Sequence, residues 1–422
     1  MKQWLFIVLG ALLALSCGKD NPSAGGGETY TLRQQRSAKR GVSYHFQIYP
    51  AQEIALLGDA VSWSYNWSNS VPSEPAQAAF SQYKMDWCPM IWNNNYSADN
   101  IRRWKQLHPE AQYILAYNEP NLTDQANMTP AQAAEHWPEI VSLAKELGMK
   151  LVSPAMNYGT LSGYHDPYKW LDEFFAQPGV SLDDVDAIAC HCYMGAATAV
   201  MSFINGFKKY GKPIWLTEFC SGSGQVSAEA QLIYMCQTVS ALESDPDVER
   251  YAWFMPYGSF NSRWHDNLFV LNRDEGRFSL TELGQVFVNM SSLDKSIYYR
   301  AGEVIPAEQY AASSGYVLLK PSTDGGVLDI ADLSYGGKVS YQLDIAAAGT
   351  YSLTLRYACE NEAGAAFSLG TEEFARKKFP STGGQWKTGS FDITLPAGKS
   401  TLTLEGTTAP GLRLNWMKIN KK

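Results

Sequence analysis

Tyr113-Ile114-Leu115-Ala116-Tyr117-Asn118-Glu119-Pro120 is a run of apolar residues that ends abruptly in an amide, an acid and a proline. The amphipathic stretch Pro130–Leu147 follows, with Thr129 placed to cap its start, Pro130 in its first turn and Gly148 as its stop. A second apolar run, Lys150–Ala155, comes directly after. Strand, helix, strand with so short a return predicts two parallel strands joined by a crossover helix. The same unit recurs on both sides. The predicted strands are Arg40–His45, Val61–Trp67, Asp86–Trp92, Tyr113–Pro120, Lys150–Ala155, Asp186–Tyr193, Pro213–Cys220 and Arg250–Tyr257. Eight alternations in roughly 250 residues predict a (β/α)8 TIM barrel. The rival, a doubly wound open sheet, would carry a Gly-rich phosphate turn after its first strand, and Arg40-Gly41-Val42-Ser43 leads into none.

Past residue 300 the pattern changes to strict alternation, as in Val339-Ser340-Tyr341-Gln342-Leu343-Asp344-Ile345 and Tyr351-Ser352-Leu353-Thr354-Leu355-Arg356-Tyr357. Glycine pairs at 325–326, 336–337 and 383–384 punctuate it. Short regular strands with turns between them predict an all-β sandwich of jelly-roll type. The expected organisation is an α/β domain over 37–292 and a β-sandwich over 300–422.

The amino-terminus predicts export. Lys2 precedes an apolar stretch, Leu5–Ser16, that is long enough for a signal peptide and too short to span a bilayer as a helix. It ends in Leu13-Ala14-Leu15-Ser16-Cys17, similar to a bacterial lipobox, with Ala14 where leucine is usual. Residues 1–17 are therefore expected to be a lipoprotein signal with Cys17 acylated, residues 18–36 a flexible tether, and the location the bacterial cell envelope, at the outer membrane or cell surface. Ordinary secretion is the alternative. The other six cysteines match neither a disulfide framework nor a zinc motif, and no metal is expected in the main domain. A formal charge of −8 with no basic run argues against nucleic acid as a partner. The 13 tryptophans and 24 tyrosines would suit sugar faces as well as a core.

Catalytic groups of such a barrel gather where its strands end. Glu119 closes the fourth predicted strand and Glu218 the seventh, in Ile214-Trp215-Leu216-Thr217-Glu218-Phe219. A charge at the end of an apolar strand is costly unless it reaches a working surface. Carboxyls from strands on opposite sides of the mouth can face each other, the geometry glycosidic cleavage needs: one protonates the departing oxygen while the other attacks or activates water. Asn118 is placed to hydrogen-bond a sugar hydroxyl. His191 and Tyr193 alternate on the sixth strand and so face the same way. The tyrosine could hold a nucleophile ionised, and the histidine could do likewise or be a satisfied core residue. Trp253 is the expected floor of the sugar site. Trp67 and Trp92 could line neighbouring subsites or fill the core.

Arg40-Gly41-Val42, Tyr65-Asn66-Trp67, Pro89-Met90-Ile91-Trp92, Asn118-Glu119-Pro120-Asn121, Ser153-Pro154-Ala155, His191-Cys192-Tyr193 and Trp215-Leu216-Thr217-Glu218-Phe219 together resemble glycoside hydrolase family 128, the β-1,3-glucanases with an Asl1-like catalytic domain. The resemblance covers nearly all of residues 40–290. It implies a retaining mechanism with Glu119 as general acid/base and Glu218 as nucleophile, β-1,3-glucan as substrate, and no cofactor. Pro306-Ala307-Glu308-Gln309-Tyr310, Ala348-Gly349-Thr350-Tyr351, Thr382-Gly383-Gly384-Gln385-Trp386 and Leu412-Arg413-Leu414-Asn415-Trp416 resemble a family 6 carbohydrate-binding module. That likeness implies Trp386 as a stacking aromatic, although Asp332 and Arg413 stand where an aromatic and a polar ligand are usual. Such modules often hold a structural calcium, for which Glu308 would be a ligand. Expected partners are β-glucan and, through Cys17, the membrane; the expected state is a monomer. Three alternatives keep the same residues: a β-glucan transglycosylase, another clan A glycanase, and a non-catalytic surface glycan-binding lipoprotein.

Overall fold

The Thr129 hydroxyl accepts a hydrogen bond from the Gln132 backbone N–H while the Gln132 side-chain oxygen accepts one from the Thr129 N–H, so the helix predicted from residue 130 begins with a capping box. It is not continuous. Pro138 has no N–H to give to the preceding turn, and the expected helix splits into Pro130–Glu135 and Trp137–Leu147. Gly148 ends the second in the left-handed conformation, φ 59°.

The computed structural model describes residues 23–422; the Cys17 expectation lies outside them. In the N-terminal domain the strands are β1 (Arg40–Ser43), β2 (Trp63–Tyr65), β3 (Asp86–Trp87), β4 (Met90–Ile91), β5 (Tyr113–Asn118), β6 (Lys150–Ala155), β7 (Ile188–Cys192), β8 (Ile214–Phe219) and β9 (Val248–Trp253). Every pairing among them is parallel: β3-β2-β1-β9-β8-β7 in one sheet and β4-β5-β6 in another. Single parallel bridges, Val152–Ala187 and Met156–Cys190, join β6 to β7. The third predicted strand is broken into β3 and β4 at Pro89, which cannot donate to a ladder.

Alternation sorts the side chains into two cores. Trp63, Tyr65, Met90, Tyr113, Leu115, Val152, Ala189, Trp215 and Ala252 form a cluster enclosed by the strands. Their sequence neighbours Ile114, Leu151, Cys190, Leu216, Tyr251 and Trp253 belong to the second cluster, packed towards the helices. Arg250 stacks on Trp63, Tyr113 and Trp215 at 4.5–5.3 Å and pairs with Asp86 at 2.9 Å.

From Tyr298 to Lys421 the chain forms two six-stranded, mainly antiparallel sheets. Burial alternates along Lys338–Ile345 and Gly349–Ala358, so each sheet contributes one face to a shared core. This domain rests on the N-terminal one through Ala312–Ser314 and Val317–Pro321, which meet the helices Ala228–Ser244 and Glu282–Asn289.

Residues 23–36, expected as part of a flexible tether, are instead docked along both domains. Gly25 accepts from the Trp416 indole at 2.8 Å, and a Cβ on it would lie 1.6 Å from the Asp324 carboxylate. Glu28 pairs with Lys418, and Arg33 with Glu303. Arg36 donates to the carbonyls of Gly58, Val61, Tyr83 and Lys84 in the N-terminal domain. The Gly-rich composition suggested a tether, but Tyr30, Leu32, Arg33 and Arg36 supply the apolar and charged anchors that hold it down.

Tyr30 buries its ring against Val304 and Trp416 and donates to Glu308 at 3.1 Å. Glu308 is 1% exposed and its Oε2 has no partner. Burial pushes its carboxyl from an ordinary 4.5 up to about 8. Glu308 Oε2 and Asn415 Oδ1 are the buried oxygens without a partner in this region, the neighbouring Asp329 is engaged by Asn415, Ser322 and Thr323, and no group of three ligating acids forms around Glu308 among the described residues, short of the six to eight oxygens that calcium takes. The residues present do not fit the calcium expectation.

The raised value makes stability depend on pH. Folded Glu308 holds its proton to higher pH than the unfolded chain does, so its contribution is complete below about pH 4.5 and is lost as pH rises through about 8. The loss is on the order of a few kcal/mol. Glu308→Gln, neutral at every pH, should therefore show a smaller fall in Tm than the parent between pH 5.5 and 8.5. Parallel Tm curves for the two proteins would contradict this origin.

Candidate active site

Glu119 follows β5 with a φ of 43°, in the left-handed region that side chains rarely adopt. The pairing of β5 with β6 is irregular at Ala116 and Asn118, and Tyr117 is also at positive φ. These departures from strand geometry turn the Glu119 side chain into the space at the carboxyl ends of the strands. Such strain persists where surrounding structure enforces it, commonly at working sites. Glu218, near the end of β8, sits beside another irregularity, between Cys190 and His191 of the adjoining β7.

One oxygen of each carboxyl and a His191 nitrogen lie within 4.8 Å of one another. His191 is fully buried between the glutamates. Its Nδ1 is 2.9 Å from Glu119 Oε1, and its Nε2 is 3.4 Å from Glu218 Oε1 with no hydrogen-bond partner of its own. Each ring nitrogen thus faces a different carboxylate, an arrangement suited to bridging them rather than to chelating one metal ion. Glu218 accepts from the Tyr65 hydroxyl at 2.9 Å, the Trp67 indole at 2.6 Å and the Tyr193 hydroxyl. Glu119 accepts at Oε1 from Asn157 at 2.9 Å, and its Oε2 has no hydrogen bond among the described residues.

Burial is the strongest influence on all three groups. At Glu119 it raises the carboxyl, but the His191 hydrogen bond, the His191 charge and Asn157 overcome it and hold the group below its ordinary value. At Glu218 burial and the charge of Glu119 prevail over His191, Trp67 and Tyr193, and the carboxyl is held high. His191 is raised, because the two glutamates outweigh its burial. The carboxyls share protons as one unit. Three donors converge on Glu218, and Glu119 keeps one oxygen, Oε2, without a hydrogen bond among the described residues. Burial beside Glu218 keeps Tyr65 and Tyr193 protonated as donors.

The expected site residues divide. Glu119, Glu218, His191, Tyr193 and Trp67 come together, and Trp67 touches Glu218 itself rather than a neighbouring subsite. Asn118 is buried beside Glu119; its amide donates to Gln125 at 3.0 Å and its Oδ1 is unpartnered. Trp92 is half-buried against the inner cluster, as is Trp67. Trp253 is not the floor. It is fully buried, packs on Phe219, Tyr234 and Phe287, and donates to the Asp266 carbonyl at 2.8 Å. Ala252 faces inward, so Trp253 must face the helices, and Phe254 takes the mouth position against Trp67 and Tyr193 at 5.8 and 5.4 Å. In the C-terminal domain the Arg413 guanidinium lies 4.9 Å over the Trp386 ring, and both side chains bond Thr323.

Sequence reasoning missed Tyr65, Asn157 and the stacked pair Phe260–Trp264, whose centroids are 4.5 Å apart at the edge of the site. Tyr65 was within reach, since it alternates with Trp67. Asn157 lies two residues past β6, where the strand-end rule also applies.

Residues 41–287 match the family model described as glycosyl hydrolase catalytic core, and residues 306–421 match carbohydrate binding module (family 6). An endo-β-1,3-glucanase structure of family 128, subgroup II, from Pseudomonas viridiflava is 38% identical, covers 60% of this chain and 98% of that one, and has a TM-score of 0.54. The chain belongs to glycoside hydrolase family 128. A second subgroup II endo-β-1,3-glucanase, from Sorangium cellulosum, is 33% identical over 59% of this chain and 97% of that one, with a TM-score of 0.51. Alkali-sensitive linkage protein 1 of Schizosaccharomyces pombe is 26% identical over 265 residues, 60% of this chain; the chain spans 45% of that relative's length.

The two tryptophans should separate on substitution. Trp67→Phe removes a donor to a charged group and should lower kcat about 10- to 100-fold with little change in Tm. Trp253→Phe should lower Tm and leave kcat and KM nearly unchanged. Steady-state hydrolysis with thermal unfolding of both variants reads the distinction, and the opposite pattern would return Trp253 to the sugar site.

Proposed function

We propose that this glycoside hydrolase cleaves β-1,3-glucan with retention of configuration, using Glu119 as general acid/base and Glu218 as nucleophile at the mouth of a (β/α)8 barrel, with a jelly-roll-like sandwich behind it. The observation that carries the reading is the carboxyl pair itself. Their oxygens approach within 4.8 Å, which fits the ~5–5.5 Å spacing of retaining enzymes and not the ~6.5–9.5 Å that leaves room for water. Three donors on Glu218 support an ionised nucleophile, and the free Oε2 of Glu119 supports a proton donor. Parallel pairings and bridges lead from β1 through β2 and the interrupted third strand, β3 and β4, round to β9, which pairs back on β1, and they support the barrel. The family 128 glucanases at 38% and 33% identity support the linkage. Phe254, Phe260 and Trp264 offer apolar faces beside the pair, where pyranose rings could stack.

In the first half-reaction Glu119 protonates the departing glycosidic oxygen while Glu218 attacks the anomeric carbon, leaving a glycosyl ester. In the second, Glu119 takes a proton from water, which attacks the same carbon and releases Glu218. A sugar hydroxyl in place of water would give transglycosylation on the same residues. Residues 23–422, which keep the docked segment, should release gluco-oligosaccharides from laminarin and curdlan and leave xylan intact. Glu218→Ala should abolish turnover, with azide or formate restoring part of it. Glu119→Ala should lose far more activity on laminarin than on an activated aryl glycoside, which needs no protonation. Equal losses on both substrates would overturn the assigned roles.

We also propose that the protein is exported and held in the cell envelope by lipid on Cys17. The lipobox-like sequence ahead of Cys17 supports this, and only residues 18–22 separate it from the docked segment that starts at Ser23. After detergent phase separation of expressing cells, the parent should enter the detergent phase and Cys17→Ser the aqueous one. A Cys17→Ser protein that stays with detergent would refute the anchor.

A further inference from the structure

Two glutamates share one buried site, yet no lysine or arginine pairs with either of them among the described residues; the only cationic partner of both is His191. The ring is fully buried and each nitrogen lies beside a different carboxylate: Nδ1 is hydrogen-bonded to Glu119 Oε1 at 2.9 Å, and Nε2 stands 3.4 Å from Glu218 Oε1 without a hydrogen bond. A neutral imidazole would leave one of these nitrogens as a bare lone pair facing a carboxylate oxygen. An imidazolium presents an N–H to each.

We propose that His191 remains protonated throughout the catalytic cycle and is the fixed counter-ion that both glutamates share. The inference rests on the proposed double displacement and adds the device that balances its charge. At the start Glu218 is the carboxylate and Glu119 carries the proton on Oε2, since Oε1 already accepts from Asn157 and faces His191 Nδ1. Transfer of that proton to the leaving oxygen makes Glu119 the carboxylate. In the same step the C1–O bond breaks and Glu218 becomes a neutral ester. One negative charge has moved from Glu218 to Glu119, and no group has gained or lost a proton except Glu119 and the leaving oxygen. The second half-reaction returns the charge. A cation placed beside only one glutamate would favour one half-reaction at the expense of the other. His191, with a nitrogen towards each, holds the charge in both positions, and the cluster stays neutral overall throughout.

Titratable groups near this cluster include Tyr65 on β2 and Tyr193 just past β7, both kept neutral by burial; the thiols of Cys190 and Cys192, which flank His191 on β7, and of Cys220 just past β8 are likewise held protonated. The protonated state of His191 itself is favoured by the two glutamates.

The test reads His191 directly. Selective nitrogen-15 labelling of the six histidines, with His191→Gln and, separately, Tyr193→Phe used to assign the resonances, should show both His191 ring nitrogens protonated at pH 7. In kinetics, His191→Gln keeps an amide in place of the ring and removes the charge. It should lower kcat about 10- to 100-fold both on laminarin and on an activated aryl glycoside, which reports the second half-reaction, with KM little changed. Loss of the cation raises both carboxyl pKa values, so both limbs of the pH–rate profile should move to higher pH. A His191 that is neutral at pH 7, or a variant whose profile falls in height without moving, would overturn the proposal. Failure of the parent to cut laminarin would count against the substrate reading alone, because the resonance still reports the charge of His191.

Discussion

Two carboxyl groups held this close in a buried site repel each other, and burial penalises each of them separately. Much of what surrounds them answers that cost. Tyr65 from β2, Trp67 two residues on, Tyr193 beyond β7 and Asn157 beyond β6 all spend their donors on the two glutamates. His191 supplies positive charge from β7. These groups come from widely separated parts of the chain, and only strands running in parallel bring their carboxyl ends to one place. The parallel arrangement is in this sense a consequence of the site's electrostatic need as much as of the apolar strand sequences. A sheet that presented alternate strand ends to the mouth would have no means of gathering five polar side chains around two charges.

The same alternation explains what could and could not be read from the chain. Strand existence was legible because each apolar run is bounded by Gly, Pro or a polar cluster, and each leads into an amphipathic stretch. Glu119 and Glu218 were legible because an acid at the end of such a run has few other reasons to be there. Which way each side chain points was harder. His191 and Tyr193 share a face as their spacing requires, yet Trp253 and Phe254 were exchanged, since a one-residue error in phase moves a side chain from the mouth to the helices. The phase at β9 is set by Ala252 packing into the inner cluster, a contact between distant strands that no local pattern records. The breaks at Pro89 and Pro138 could be seen as prolines, but whether a proline ends an element or only interrupts it depends on what packs around it.

Residues 23–36 show a different limit. Glycine and serine suggest mobility in an isolated segment, and here the glycine is required for the opposite reason. Gly25 passes so close to Asp324 that any side chain would collide with the Asp324–Arg356 ion pair. Composition describes what a segment can do alone, and docking depends on the complementary surface supplied by Trp416, Lys418, Glu303 and Glu308 some 270 or more residues later.

The charges at the other end of the N-terminal domain are arranged in the opposite sense. Arg36 lies ahead of β1 and Arg40 begins it, and both donate to backbone carbonyls that end helices or precede strands: Gly58, Val61, Tyr83 and Lys84 for the first, Phe287, Met290 and Ser291 for the second. Arg40 is also neutralised by Glu243 and hydrogen-bonded to Tyr251. Cations therefore close the amino ends of the strands, where helix carbonyls are left unpaired, and carboxylates work at their carboxyl ends. The docked segment and the second domain attach on the closed side and along the helices Ala228–Ser244 and Glu282–Asn289, so they stabilise the scaffold without crossing the glutamates. A polymer substrate needs an approach free of the enzyme's own chain. The placement of the attachments leaves the carboxyl ends of the strands as the side where Phe260 and Trp264 can meet a glycan.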